Sequence, residues 1–373
     1  MVAEVGYIPE TKENMMKKAA ICAVVCLAAG WAAGGEKGTA EEAKALLDKA
    51  VKAIETQGEV KALVSFNDPK ERVMRFGDWS TPVNVGAPLN TAFNDMYAVV
   101  SRNGLTVYFT SDRPGGLGGD DLWVSHRDST GAPWGTPENL TILNSTAADS
   151  LSVFNTDGTI MYFNSTRPGG CGLSDLWTSR LVQGEWTAPE NMGCVINSAA
   201  NEQAPAFYAG KHHETTMYFG SNRAGGIGDF DVYKTTSTDK DLADASFGIP
   251  VLVPELSSPK RDTRTWVRRD GLEIFITSDR LGGTGLIDMW VATRADADDV
   301  WSTPTNVGTI VNSAKDDGSP ALSKDGTTLH FFSNRDGGLG LRDIYVTERA
   351  RLEDDDDSDD DDSDNNHNNN IVG

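Results

Sequence analysis

Histidine and cysteine are scarce in this chain of 373 residues, with five of the first and four of the second. His126, His212, His213, His330 and His367 form no His-Glu-x-x-His pattern and no Cys-His cluster, which speaks against a transition-metal centre. His212 and His213 adjoin in a turn and read as a solvated loop. No Gly-x-Ser-x-Gly elbow is present, so the nucleophile of the α/β-hydrolases is missing. No glycine-rich loop is followed by Gly-Lys-Ser/Thr, which removes the phosphate cradle of nucleotide-binding loops. Positive charge is also short: 33 Lys and Arg face 55 Asp and Glu, for a formal net charge of −22. Ten of those acids lie between Glu353 and Asp364, and the remainder is still acidic. A nucleic-acid partner is excluded on that ground, because phosphate backbones are bound by basic surfaces. Long apolar runs are lacking too. The longest, Ala19 to Ala33, falls short of the ~20 residues that span a bilayer.

Lys17 and Lys18 precede that run and small residues follow it, which is the pattern of an export signal with its start at Met15 or Met16. Residues 1–34 are therefore read as a leader. Its removal leaves Cys171 and Cys194, and two cysteines in an exported chain can pair. Residues 39–57 predict one helix: Thr39 and Glu42 make a capping box, Leu46, Leu47, Ala50, Val51 and Ile54 an apolar stripe, and Gly58 a stop. With "GEVKALVSFNDPKER" after it, the stretch 38–72 resembles the opening of single Cache sensor domains of secreted bacterial proteins. That resemblance implies export and a packing helix within residues 35–78.

Abundance lies elsewhere, in 38 glycines and a motif that recurs five times. "SDRPGGLGGDDLW" from Ser111 returns as "STRPGGCGLSDLW", "SNRAGGIGDFDVY", "SDRLGGTGLIDMW" and "SNRDGGLGLRDIY", with Gly-Gly pairs at Gly115, Gly169, Gly225, Gly282 and Gly337. A Trp-x-x-Pro signature beginning "WSTPVNVG" at Trp79 recurs in register, and so does an Asp-Gly or Asn-Gly turn between alternating strands. Each unit of roughly 55 residues reads as four short strands, which cannot bury both faces alone and so stack radially. The region starts with a fourth strand at Trp79 and ends after a third strand near Thr347. The N-terminal outer strand then closes the last blade, which predicts an all-β, five-bladed propeller over 79–350 with no open edge. Residues 351–373 form an acidic tail that reads as disordered.

The order and spacing of these motifs, with "DGTIMYF" and "DLW" as examples, resemble the WD-like repeat of TolB-type propellers. TolB itself has six blades, and five copies here depart from that. The resemblance implies a rigid interaction platform in the periplasm or at the cell surface, and the main expectation is a non-enzymatic scaffold for an envelope protein or a glycan. The alternative is a carbohydrate-active enzyme, because five-bladed arabinanase-type propellers place carboxylates on inner strands, and glycoside hydrolysis uses two of them about 5 to 9 Å apart.

Candidate site residues follow the repeat. Asp95, Asp149, Glu202, Asp262 and Asp317 share one register at the start of the innermost strands, and so are expected to crowd the mouth of the central channel. They are candidates for catalysis, for a calcium ion on the axis, or for a structural role repeated in every blade. Repetition favours the last, since active sites set individual groups apart. The arginines Arg113, Arg167, Arg223, Arg280 and Arg335 each precede Asp121, Asp175, Asp231, Asp288 and Asp343 by eight residues, which predicts an Arg-carboxylate clasp across the glycine loop. Cys171 and Cys194 fall on one face and predict a disulfide. The stretches "LGGD", "CGLS", "IGDF", "TGLI" and "LGLR" inside the loops differ from blade to blade, and a specific partner would have to read those differences.

Overall fold

The structure is a computed structural model that describes residues 75–352, apart from 156–157, 211–213 and 239–246. The leader, the helix expected over 39–57, the Cache-like stretch, His212, His213, His367 and the acidic tail lie outside the described residues. Among the described residues every regular element is a strand.

The chain forms a five-bladed propeller of antiparallel four-stranded blades. Blade one runs outward through β3 (Asp95–Val100), β4 (Thr106–Ser111), β5 (Asp121–His126) and β6 (Glu138–Asn139). Blade two comprises β7 (Asp149–Phe154), β8 (Ile160–Ser165), β9 (Asp175–Val182) and β11 (Glu190–Asn191). The long β9 also carries β10 (Glu185–Trp186). Blade three has β12 (Glu202–Ala209), β13 (Thr215–Ser221), β14 (Asp231–Ser237) and β15 (Val251–Leu252). Blade four has β16 (Asp262–Val267), β17 (Glu273–Ser278), β18 (Asp288–Thr293) and β19 (Thr305–Asn306). In blade five, β20 (Asp317–Leu322), β21 (Thr328–Ser333) and β22 (Asp343–Glu348) are completed by β2 (Val83–Asn84) from the other end of the ring. A second pair, β1 (Arg75–Phe76) with β23 (Arg351–Leu352), lies beside that closure.

The reason for stacking is visible in β8, whose six residues are all buried. Alternation sends Met161 and Phe163 into a cluster with Leu122 of blade one, and Ile160 and Tyr162 into another with Phe219 of blade three. Similar clusters fill the remaining three junctions, so each blade's apolar faces are covered only by its neighbours. The junctions are also tied by backbone. The amides of Asp95, Asp149, Glu202, Asp262 and Asp317 donate to the carbonyls of Arg342, Asp120, Ser174, Phe230 and Ile287 of the preceding blade, at 2.7–2.8 Å. Arg349 of blade five donates two buried hydrogen bonds to the Glu273 carboxylate of blade four, at 2.7 and 3.0 Å, while its guanidinium lies over the rings of Phe76 and Trp79.

Candidate functional site at the mouth of the central channel

Two sets of residues meet at one end of the ring, a repeated set and an unrepeated one. The five acids of the innermost strands belong to the first, and each is fully buried. Asp95 accepts from Arg113 at 2.5 Å, Asp149 from Arg167 at 2.6 Å, Glu202 from Arg223 at 3.1 Å, Asp262 from Arg280 at 2.5 Å and Asp317 from Arg335 at 2.6 Å. Asp95 also accepts from the amide and hydroxyl of Thr91 and from the Ser111 hydroxyl, at 2.6–2.7 Å, so its oxygens are fully engaged. Each arginine donates in addition to a backbone carbonyl of the link before the acid and rests against an aromatic side chain, as Arg335 does on Tyr345 at 4.8 Å. Both oxygens of each acid are thus hydrogen-bonded within the frame rather than left open at the axis. Among the described residues no group of three His, Cys, Asp or Glu could hold a metal ion.

The arginine clasp also has a different partner from the one expected across the glycine loop. Asp121, Asp175, Asp231, Asp288 and Asp343 bind their own loops instead. Asp121 accepts from the amide of Leu117 at 2.5 Å and from Asn139 Nδ2 at 3.1 Å, and Asp343 accepts from Leu339, Gly340 and Asn84. The glycines are explained by the same geometry. In blade one Gly115 has φ of +99°, the left-handed region where a side chain is strained. A Cβ on Gly116 would meet the Asp121 carboxylate, and one on Gly118 would meet the carbonyl of Ala147 in the next blade. Cys171 sits in the corresponding loop of blade two and is joined to Cys194 in the link after β11, with Cα atoms 5.6 Å apart.

The unrepeated set begins with a backbone irregularity. Every innermost strand carries a bulge just after its acid, and the bulged residue takes positive φ: Tyr97, Leu151, Ala204, Arg264 and Ser319, at 41–62°. A bulge re-aims a side chain, and all five of these residues line one small cavity of 30 Å³ at the axis. The backbone device repeats while the side chain does not. A second set of five, Asp120, Ser174, Phe230, Ile287 and Arg342, stands at the end of the glycine loops and shares only its position.

These differences gather charge on one side of the axis. A cavity of 270 Å³ is lined by Arg261, Arg264, Arg342, Asp279, Gln203 and Phe332, among others. Arg264 also lines the smaller cavity and stands between the two. Its guanidinium lies 4.3 Å from the centre of the Tyr97 ring and 5.5 Å from that of Phe332. Its Nε is buried without a hydrogen-bond partner. Burial, with Arg342 and Arg261 close by, pushes its pKa down. Arg261 and Arg342 are partly neutralised, by Asp229 at 3.3 Å and Asp316 at 3.6 Å. Asp120 faces Arg264 and Arg342, yet burial, reinforced by the neighbouring Asp112, raises its carboxyl above the ordinary range. Asp112 is held by the amide and side chain of Asn94, both at 2.8 Å.

Aligning the repeats to find what recurs passes over these residues. Their signal was present in the variable stretches "LGGD" to "LGLR", whose last letters are Asp120, Ser174, Phe230, Ile287 and Arg342.

No protein-family model matches the chain, and no curated protein matches it. Solved structures do. An α-L-arabinofuranosidase from Lactobacillus brevis is 13% identical, with a TM-score of 0.50 over 72% of this chain and 94% of that one. An endo-arabinase from Bacteroides thetaiotaomicron is 14% identical, with a TM-score of 0.48 over 74% and 99%. A TolB-like protein from Agrobacterium tumefaciens is 19% identical, with a TM-score of 0.40 over 70% and 78%. At these identities the likeness shows the fold. The expectation of a non-enzymatic scaffold is corrected in one respect: it does not follow from this fold, which an α-L-arabinofuranosidase also has.

Proposed function

We propose that the protein is a glycoside-hydrolase-like enzyme, exported to the periplasm or cell surface, acting on a glycan at the mouth of its central channel. The observation that carries this reading is Asp120: a half-buried carboxyl group whose pKa is raised by burial and by Asp112, at a position where the other four blades carry no acid. Glycoside hydrolysis needs such an acid to protonate the leaving oxygen and a second carboxylate to act at the sugar carbon. Asp112, oriented by Asn94, supplies the second. The acids of the innermost strands are left out of the chemistry in this reading, since one oxygen of each is bound by arginine and the other by the amide of the link before it. The repeat resembling TolB-type propellers builds the frame, and the Cys171–Cys194 bridge supports an oxidising compartment.

Hydrolysis that needs protonated Asp120 declines as pH rises through its raised pKa. The test is release of reducing ends from arabinan, xylan, pectic and bacterial cell-wall glycans by the full chain, beside Asp120→Asn. Removing a general acid lowers the rate by about 10²–10⁴. Full activity in the variant, or no release from any glycan, would overturn the reading.

A further inference from the structure

Three arginines on one cavity are more than the frame requires. The clasp arginines Arg113, Arg167, Arg223, Arg280 and Arg335 repeat in every blade and each has its acid. Arg261, Arg264 and Arg342 do not repeat. Their counterparts are Asn94, Ala148, Asn201 and Asp316 for the first, Tyr97, Leu151, Ala204 and Ser319 for the second, and Asp120, Ser174, Phe230 and Ile287 for the third. Arg264 is the extreme case. It has left-handed backbone at φ 41°, no ion pair among the described residues, a buried Nε without a hydrogen-bond partner, and two other guanidinium groups nearby.

An arginine in that position is disfavoured unless something else uses it. Burial and like-charge neighbours both oppose it, and a strained backbone holds it there. The aromatic faces of Tyr97 and Phe332 compensate in part and keep the guanidinium plane fixed. The cavity it lines is just below the ~300 Å³ at which small-molecule pockets begin, which suits a single sugar ring rather than a length of chain. The acids nearest to it are already engaged: Asp279 accepts from the Arg261 amide at 2.7 Å, and Asp316 accepts from Arg342 and is bound through its own amide to Asn334. Asp120, half-buried beside Arg264, has its pKa raised by burial, so it is a weaker counter-ion to Arg264 than an ordinary carboxylate.

We infer that this cavity binds the anionic group of an acidic sugar, with Arg264 as the principal ligand and Arg261 and Arg342 beside it. The sugar half of the inference rests on the glycan reading above, and the anion half rests on the arginines alone. A planar carboxylate can take two parallel N–H bonds from one guanidinium, so a uronic acid fits best. A sulfate ester offers the same charge and is separated by experiment.

The test is calorimetric titration of the full chain carrying Asp120→Asn, to prevent turnover, with oligogalacturonate, a sulfated disaccharide and a neutral arabino-oligosaccharide. Oligogalacturonate is expected to bind at least tenfold more tightly than the neutral sugar, with affinity falling as salt rises. Arg264→Met and, separately, Arg342→Gln should each weaken it tenfold or more. Arg264→Met removes a buried charge together with its contacts to Tyr97 and Phe332 and should melt close to the parent, so that a loss of binding at unchanged melting temperature is not a loss of fold. Tightest binding of the sulfated sugar would replace carboxylate by sulfate and overturn the uronic-acid assignment. Equal affinity for the neutral sugar, or unchanged affinity in both arginine variants, would overturn the anion site itself. Hydrolysis of neutral glycans with no anion preference would sink this inference and leave the enzyme reading standing. Anion binding without hydrolysis of any glycan would do the reverse.

Discussion

Asp95 and Asp120 stand near the same end of blade one and do opposite things. Asp95 is fully buried and bound by Arg113, Thr91 and Ser111. Asp120 is half-buried, without such a partner, and held towards its neutral form. The first has an equivalent in each blade and the second has none. A residue repeated at every blade solves a problem that every blade shares, such as anchoring the inner strand and its loop. A residue found once is free of that shared task and can answer to a problem that occurs once, as binding on the axis would be. Symmetry thus separates the frame from the site more sharply than residue chemistry does, since both are built of Asp and Arg.

The largest effect should come from breaking the frame. Asp149→Asn leaves Arg167 without its carboxylate in a nearly closed environment and should cost about 3 kcal/mol of unfolding free energy in urea titrations. A cost below about 0.5 kcal/mol would mean that the clasps are ornamental. Opening the Cys171–Cys194 bridge by Cys171→Ser with Cys194→Ser should cost roughly 3 kcal/mol, from a loop of 23 residues. Gly118→Ala drives a methyl group into the carbonyl of Ala147 across the blade junction and should cost about 1–3 kcal/mol. Gly119→Ala meets nothing within 4 Å, and its melting temperature should hold or rise slightly.

The smallest effect concerns one break in the frame that lies away from the mouth. His330 occupies the position of Tyr108, Tyr162, Tyr218 and Phe275 in the other second strands. Burial and the nearby Arg127 lower its pKa to about 4. The unfolded chain takes up this proton near pH 6.5 and the folded one only near 4. The contribution is therefore fully present above pH 6.5 and is lost as pH falls towards 4. His330→Tyr restores the repeat and should flatten that part of the stability–pH curve, measured by denaturation at pH 7.5 and pH 5.

Much of the frame was legible before any coordinate. Five copies of Ser-x-Arg, Gly-Gly and Asp-x-aromatic, with a fourth strand at the wrong end, dictate five blades and the closure of β2 on β22, because no other arrangement covers the apolar faces. The partner of the clasp was not legible. An eight-residue spacing pointed from Arg113 to Asp121, but Gly116 lets that carboxylate turn into its own loop, and the guanidinium crosses to Asp95. The site was harder still. Nothing in the sequence announces the bulges that turn Tyr97 and Arg264 onto the axis, since a strand that gains one residue still reads as a strand. Asp120 and Arg342 were in view only as unequal letters in otherwise equal loops.

The central claim is that the repeated acids hold the fold while the unrepeated acid performs the chemistry, and the most direct measurement treats one of each alike. Asp120→Asn and Asp149→Asn should be compared for both melting temperature and release of reducing ends from the best glycan substrate. The account predicts that Asp120→Asn keeps its melting temperature and loses hydrolysis by about a hundredfold or more, while Asp149→Asn melts well below the parent. An Asp149→Asn protein that melts normally but has lost hydrolysis, beside a fully active Asp120→Asn, would contradict it.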